Sequence, residues 1–340
     1  MDRVEKWKVG VIGAGGWGTT LANLLAEKGA GVDLWVREEE VFQQIRSQRV
    51  NSFFLPGVGL SANLRAVTSF EEVLSEKELV LVAVPSHVFR EVLMQLRPYL
   101  RPGMSIMSAT KGIENETLMT MSQVAADVLS ERFIHDFACL AGPSFAKEVS
   151  RKYPTAVTIA CRSLEHSQRL QQLFNTDYFR VYVTEDLTGV QLAGALKNVI
   201  AIAAGASDGL NFGHNARAAL ITRGLAEIAR LGVTMGANSL TFTGLAGMGD
   251  LVLTCTGDMS RNRSVGLKIG KGMRLEEITQ GMNMVAEGIR TALSAYQLAK
   301  KLKVEMPITT EVYQILYERK DPREGVKALM TRGLKPEFEH

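Results

Sequence analysis

Cysteine is scarce in this chain of 340 residues: Cys139, Cys161 and Cys255 are its three, far apart and without a CxxC pair. So sparse and odd a set argues against a disulfide framework and against a structural zinc site. Histidine is also rare, with five scattered residues and no HExxH or comparable ligand spacing, so no metal is expected. An excess of one charge is missing too. Lys and Arg number 39 against 36 Asp and Glu, a formal net charge of +3, and the pI is near 8.7. The basic residues are spread along the chain rather than gathered, which argues against nucleic acid as a partner. The slight positive bias suits an anionic small molecule. No hydrophobic run is long enough to span a bilayer comfortably. The most apolar stretch, Val190–Ala206, is interrupted by Lys197 and Asn198. The charged start, Met1–Lys8, runs directly into a strand pattern with no secretory layout. These absences lead to the expectation of a soluble, cytoplasmic protein with no integral membrane contact. Repeats and low-complexity segments are absent as well.

What is present is the balance of an ordinary globular protein. Apolar residues make up 46% and charged residues 22%, enough for a sizeable core. The length is typical of two domains. The first half alternates β-branched runs with helical patterns. Strands are expected at Lys8–Ile12, Gly31–Val36, Leu79–Val84, Met104–Ser108, Phe137–Ala141, Thr155–Ala160 and Phe179–Val183. Helices such as Thr19–Lys28 and Val88–Leu96 lie between them. Nearly continuous apolar strands in βα alternation predict a parallel sheet covered on both faces. From Leu187 onward the sequence is rich in Ala, Leu, Gly and Met at helical spacing. Helical patterns cover the stretch opened by Val190 and Ile200, then Arg217–Leu231, Asn238–Gly244, Arg263–Gly270, Val285–Lys301 and Thr309–Tyr317. The expected division is an α/β domain over 1–186 and an all-helical domain over 187–340.

Gly13-Ala14-Gly15-Gly16-Trp17-Gly18 follows the first strand and leads into a helix, the context that a GxGxxG motif needs. The first glycine permits the tight turn, the second admits a pyrophosphate close to the backbone, and the third lets the helix pack on the strand. Free N–H groups at the helix start would then face phosphates. The strand Gly31–Val36 is followed by Arg37 rather than by the acid typical of an NAD-selective site. A cation there suits the 2′-phosphate of NADP and favours NADPH over NADH. The alternative is a solvated loop arginine whose charge is blunted by Glu38, Glu39 and Glu40.

Further segments carry a more specific resemblance: GAGGWGTTLA (13–22), VPSHVFREVL (84–93), ATKGIE (109–114), AGPSFAKEV (141–149) and GVQLAGALKNVIAIAAGASDG (189–209). They continue with ARAALITRGLAEIARLG (216–232), GMGDLVLTCTGDMSRNRSVG (247–266), VAEG (285–288) and EMPIT (305–309). Over about Val9 to Ala328 the sequence resembles the bacterial-type NAD(P)-dependent glycerol-3-phosphate dehydrogenase family. The resemblance implies a Rossmann-like doubly wound sheet followed by an all-α, 6-phosphogluconate dehydrogenase-like domain. It implies hydride transfer between NADPH or NADH and dihydroxyacetone phosphate, giving sn-glycerol 3-phosphate for phospholipid synthesis. A homodimer is also implied.

By that resemblance Lys197 is the proton-transferring residue. Its apolar helix beside the domain boundary would desolvate the amine and lower its pKa into a working range. Read from the residues alone, pairing with Asp250 or snorkelling to water is as good an account. Ser260, Arg261 and Asn262 match the family's phosphate-binding Ser-Arg-Asn. Ser260 would cap a helix whose free amides face an anion, Arg261 would add a forked cation and Asn262 amide donors. On spacing alone an ordinary N-cap with exposed arginines is the default reading. Asp250 matches a substrate-contacting aspartate and could orient Lys197, or else cap the following helix. Lys111, at a strand's carboxyl edge, matches a residue touching substrate and cofactor. Gly142 and Ser144 match substrate contacts. Ala146, Arg261, Val285 and Glu287 match cofactor contacts, beside Gly13, Gly15, Gly16, Trp17 and Gly18. Phe89 would be core or a wall of the nicotinamide pocket. Gly16 departs from the family, standing where serine is common. Two other readings share much of this pattern. A hydroxyacid or 6-phosphogluconate type of reductase would need a carboxylate clamp, and a non-catalytic nucleotide sensor would leave Lys197 idle.

Overall fold

The computed structural model describes residues 7–281, 286–334 and 336–337. Ten strands are formed: β1 (Lys8–Ile12), β2 (Gly31–Trp35), β3 (Val50–Asn51), β4 (Leu55–Gly59), β5 (Leu64–Val67), β6 (Leu79–Val82), β7 (Ser105–Ser108), β8 (Ala138–Ala141), β9 (Thr155–Cys161) and β10 (Phe179–Thr184). Eight of them make one sheet in the order β5-β2-β1-β6-β7-β8-β9-β10, while β3 and β4 pair by themselves. Every residue of β6, β7 and β8 is buried. Their unbroken small and apolar runs are what a sheet covered on both faces requires. One face packs with the helix Gly16–Glu27 around Leu21, Leu25 and Leu34. The other packs around Phe89, Leu93, Ile106 and Phe137. Phe89 is fully enclosed and belongs to this core, not to a pocket wall.

The sheet departs from the all-parallel expectation at one place. β8 and β9 run antiparallel, and β10 then runs parallel to β9. The link between β8 and β9 contains only the five-residue helix Ala146–Ser150. Such a helix rises about 7 Å, far less than the length of the seven-residue strand β9, so the chain turns back instead of crossing over. The short hairpin β3–β4 and the edge strand β5 are hidden in the sequence. Pro56, Gly57 and Gly59 interrupt β4, and β5 has only four residues.

The helical half is built around the helix Leu187–Gly209, whose start is capped by Asp186 accepting from the Gly189 N–H at 2.8 Å. By length and apolarity alone this helix could cross a bilayer, but 89% of its apolar window is buried inside the fold. The helices Gly213–Thr234, Arg261–Gly270, Glu287–Leu302 and Pro307–Tyr317 surround it. Its contact with Arg261–Gly270 is main chain on main chain. A Cβ at Gly205 would lie 2.0 Å from the Arg263 carbonyl oxygen, and one at Gly266 would lie 2.0 Å from that of Ile202. Only glycine permits helices to approach so closely. The expected helix at Asn238–Gly244 is a 3₁₀ turn over Ser239–Thr243, followed by a π turn over Leu245–Gly249. Asp250–Thr256, Leu275–Gln280 and Pro322–Met330 form helices that periodicity alone left out.

Candidate active site

The glycine-rich loop closes β1 and opens the helix Gly16–Glu27, three residues earlier than expected. Gly13 has φ +113°, and a Cβ there would lie 2.8 Å from the Ala83 carbonyl oxygen. Gly18 packs on Gly13, while the Cβ direction of Gly15 meets nothing within 4 Å. The loop is therefore sealed beneath and open above. The Trp17 indole N–H is buried and finds no acceptor among the described residues. An open backbone cradle with an unpaired donor beside it fits a dinucleotide, whose pyrophosphate the first amides of the helix would hold. Arg37 lies at the edge of this region, exposed and paired with Glu38 at 2.6 Å. Ala146, on the neighbouring helix, sits 3.9 Å from where a Gly16 Cβ would be.

In the helical half, Lys197 is buried, and its Nζ donates to Asp250 Oδ1 at 2.5 Å and to Thr254 Oγ1 at 2.8 Å. Lys111, carried by the loop after β7, donates to the other carboxylate oxygen of Asp250 at 2.6 Å. One carboxylate thus lies between two ammonium groups. Burial lowers the pKa of Lys197 to about 8; Asp250 opposes that fall and Lys111 adds to it. Burial alone would raise the pKa of Asp250, but the two lysines outweigh it and hold the group below the usual carboxylate range. Asp250 is the first residue of its helix, yet its side chain serves the lysines rather than the helix start. Thr254, one turn further along that helix, is the member that the sequence reading missed. The i, i+4 spacing from Asp250 was the available signal.

Gly142 has φ +139°, and a Cβ there would lie 2.8 Å from Val157 Cα. Its carbonyl accepts from Ser144 Oγ at 3.0 Å and lies 3.5 Å from Lys111 Nζ. This turn therefore lies beside the lysine–aspartate group. Ser260 caps the helix Arg261–Gly270 by accepting from the Arg263 N–H at 3.2 Å. That leaves the amides of Arg261 and Asn262 without intrahelical partners, as in any first turn. The two arginines of this segment differ. Arg263 is tied to Asp208 at 2.8 Å and to Asp258 at 2.9 Å. Arg261 makes no ion pair among the described residues; it is exposed to solvent, yet desolvation by the surrounding protein lowers its pKa, with Glu287 opposing. The Asn262 side chain is partly engaged. It donates to Asn198 Oδ1 at 2.8 Å and accepts from the Gly288 N–H at 2.9 Å. One Nδ2 hydrogen and the backbone N–H are what Asn262 has left to offer an anion.

Glu287 opens the helix Glu287–Leu302 and accepts from Ser86 Oγ at 2.6 Å, which joins the helical half to the loop after β6. Burial raises its pKa, while Ser86 and Arg261 pull it back. Val285 lies outside the described residues. The structure thus gathers Lys111, Gly142, Ser144, Lys197 and Asp250 in one group, and Ser260, Arg261, Asn262 and Glu287 in a second group bound together through Asn198 and Gly288.

Comparisons with known proteins agree with this arrangement. Residues 8–167 match the family model for the NAD-dependent glycerol-3-phosphate dehydrogenase N-terminus, and residues 186–327 match that for the C-terminus. A glycerol-3-phosphate dehydrogenase (NAD(P)+) of Geobacter metallireducens is 58% identical over 97% of this chain and 98% of its own length. One from Syntrophobacter fumaroxidans is 54% identical over 97% of each. The crystal structure of glycerol-3-phosphate dehydrogenase from Coxiella burnetii, 40% identical, superimposes with a TM-score of 0.93 over 96% of this chain and all of that one. Two family models that together span both halves, and relatives matched along nearly their whole length, make this chain a member of the NAD-dependent glycerol-3-phosphate dehydrogenase family.

Proposed function

We propose that this chain interconverts dihydroxyacetone phosphate and sn-glycerol 3-phosphate with NADPH or NADH. In this reading residues 1–186 hold the nucleotide and residues 187–340 complete the substrate site. The observation that carries it is the buried Lys197 amine, whose pKa falls to about 8, held with Lys111 on Asp250 in a chain whose glycine-rich loop forms an open dinucleotide cradle. A bound reduced nicotinamide supplies the hydride, which goes to C2 of the substrate. Lys197 Nζ gives a proton to the C2 oxygen as that oxygen becomes a hydroxyl. In the oxidative direction the neutral amine takes the same proton back. Asp250 holds Lys197 in place and keeps its charge near that of Lys111. Lys111 puts a second positive charge where negative charge develops on the oxygen.

The phosphate end of the substrate belongs at the start of the helix Arg261–Gly270, on the free amides of Arg261 and Asn262 and the Arg261 guanidinium. Gly142 and Ser144 line the three-carbon part beside Lys111. Glu287 and Ala146 border the cofactor, and Arg37 reads the 2′-phosphate that distinguishes NADPH. A homodimer acting in the cytoplasm belongs to the same reading and rests on the family resemblance. The deciding assay mixes the purified chain with dihydroxyacetone phosphate and NADPH or NADH and follows the absorbance of the reduced cofactor. Its loss is expected; no oxidation with any three-carbon phosphate overturns the reading.

A further inference from the structure

The hairpin β3–β4 is seated directly on the glycine-rich loop. Asn51 on β3 is completely buried and turns its side chain toward that loop. Its Nδ2 donates to the Ala14 carbonyl oxygen at 2.8 Å and to Thr19 Oγ1 at 2.9 Å. Its Oδ1 accepts from the Phe54 N–H at 3.1 Å, which closes the hairpin around it. Thr19 Oγ1 donates to the same Ala14 carbonyl at 3.1 Å. One backbone oxygen of the loop is therefore held by two side chains, one of them from a separate element.

A trans peptide is planar, with its C=O and N–H pointing in opposite directions. Fixing the Ala14 oxygen toward Asn51 consequently aims the Gly15 N–H the other way, into the open space above Gly15. The hairpin also fills the space beside Gly16, where a Cβ would lie 2.8 Å from the Phe54 carbonyl oxygen. That contact favours glycine at position 16, because a side chain there would meet the hairpin backbone.

We infer that Asn51 is a positioning residue for the dinucleotide, setting the direction of the pyrophosphate-binding amides from outside the GxGxxG motif. The inference rests on the proposed dinucleotide site. Without Asn51 the Ala14 carbonyl keeps only the longer bond from the Thr19 hydroxyl, so the Ala14–Gly15 peptide is held less firmly and aims its amide less well when a pyrophosphate binds. The cost falls on cofactor affinity, not on the chemical step, and it falls equally on NADPH and NADH because both carry the pyrophosphate.

The test is Asn51→Ala in the full chain, with cofactor Kd measured by calorimetry beside kcat, the KM for dihydroxyacetone phosphate, and Tm. The Kd for NADPH and for NADH is expected to rise by about tenfold, the factor for one buried hydrogen bond lost. At saturating cofactor, kcat and the substrate KM should stay within about twofold, a spread worth less than half a kcal/mol. Unchanged cofactor Kd overturns the inference, as does a parallel loss of kcat, substrate affinity and cofactor affinity. If Asn51→Ala fails to fold, Asn51→Ser substitutes for it, keeping a hydroxyl for the Phe54 N–H but being too short to reach Ala14. Wild-type protein that binds neither dinucleotide would instead overturn the proposed site itself.

Discussion

On the proposed roles, the two parts of the site are made from different materials. At the nucleotide part the groups belong to the main chain: a glycine turn, the first amides of a helix, and a carbonyl pinned from below by Asn51. At the reacting end they are side chains, with two lysines converging on one buried carboxylate. A site made of backbone tolerates many side chains around it but almost no added Cβ within it. A site made of buried charges is the reverse, because each group depends on its partner to remain buried and charged. Substitutions should therefore separate the two ends by the kinetic constant that they move.

The largest expected effect is at the reacting end. Lys197→Ala should lower kcat by about 10²- to 10⁴-fold, the usual scale of a lost general acid–base, while the cofactor Kd stays near that of the wild type. A variant that keeps its kcat would remove Lys197 from the mechanism. The same residue should set the pH dependence. Reduction needs the protonated amine, so kcat for dihydroxyacetone phosphate should fall as pH rises through about 8. Oxidation needs the neutral amine, so kcat for glycerol 3-phosphate should rise over the same interval. Steady-state profiles in both directions check this, and parallel profiles would contradict the assignment.

Arg261→Ala should come next. Losing a charge-assisted contact to phosphate should raise the substrate KM by about 10- to 100-fold and leave the cofactor Kd less affected. An unchanged KM would place the phosphate elsewhere. The smallest effect is expected at the nucleotide edge. Arg37 is largely exposed and already paired with Glu38, and screening keeps such charges worth little. Arg37→Asp should shift the NADPH-to-NADH preference by only about fivefold. The ratio of kcat/KM values reads it, and an unaltered ratio would mean that Arg37 does not sense the 2′-phosphate.

The same division explains what could be read from the chain alone. β1, its glycines and the following helix are contiguous, so the spacing that encodes them is visible, and only the helix start was misplaced. The lysine–aspartate group is not contiguous. Asp250 lies 53 positions from Lys197 and 139 from Lys111, and no periodicity relates them; the residues alone suggested only that Lys197 pairs with Asp250, and the family resemblance added Lys111 and a role for the group. The turn-back between β8 and β9 escaped because both strands carry the apolar pattern of a covered sheet in either direction. Asn262 shows a second role that its residue type did not signal. Besides the donors suggested for a ligand, its side chain joins Asn198 to the backbone of Gly288. Asn51 gave no signal, since a lone asparagine before Ser52 reads as an ordinary turn residue.

The interlocked glycines of the two central helices have a consequence for selectivity. With Gly205 against the Arg263 carbonyl and Gly266 against that of Ile202, the helix bearing Lys197 and the helix beginning at Arg261 cannot slide or part by rearranging rotamers. On the proposed roles, the span from proton donor to phosphate socket is then a fixed ruler. A substrate of another length would then have to adjust its own conformation, because the two helices cannot adjust to it.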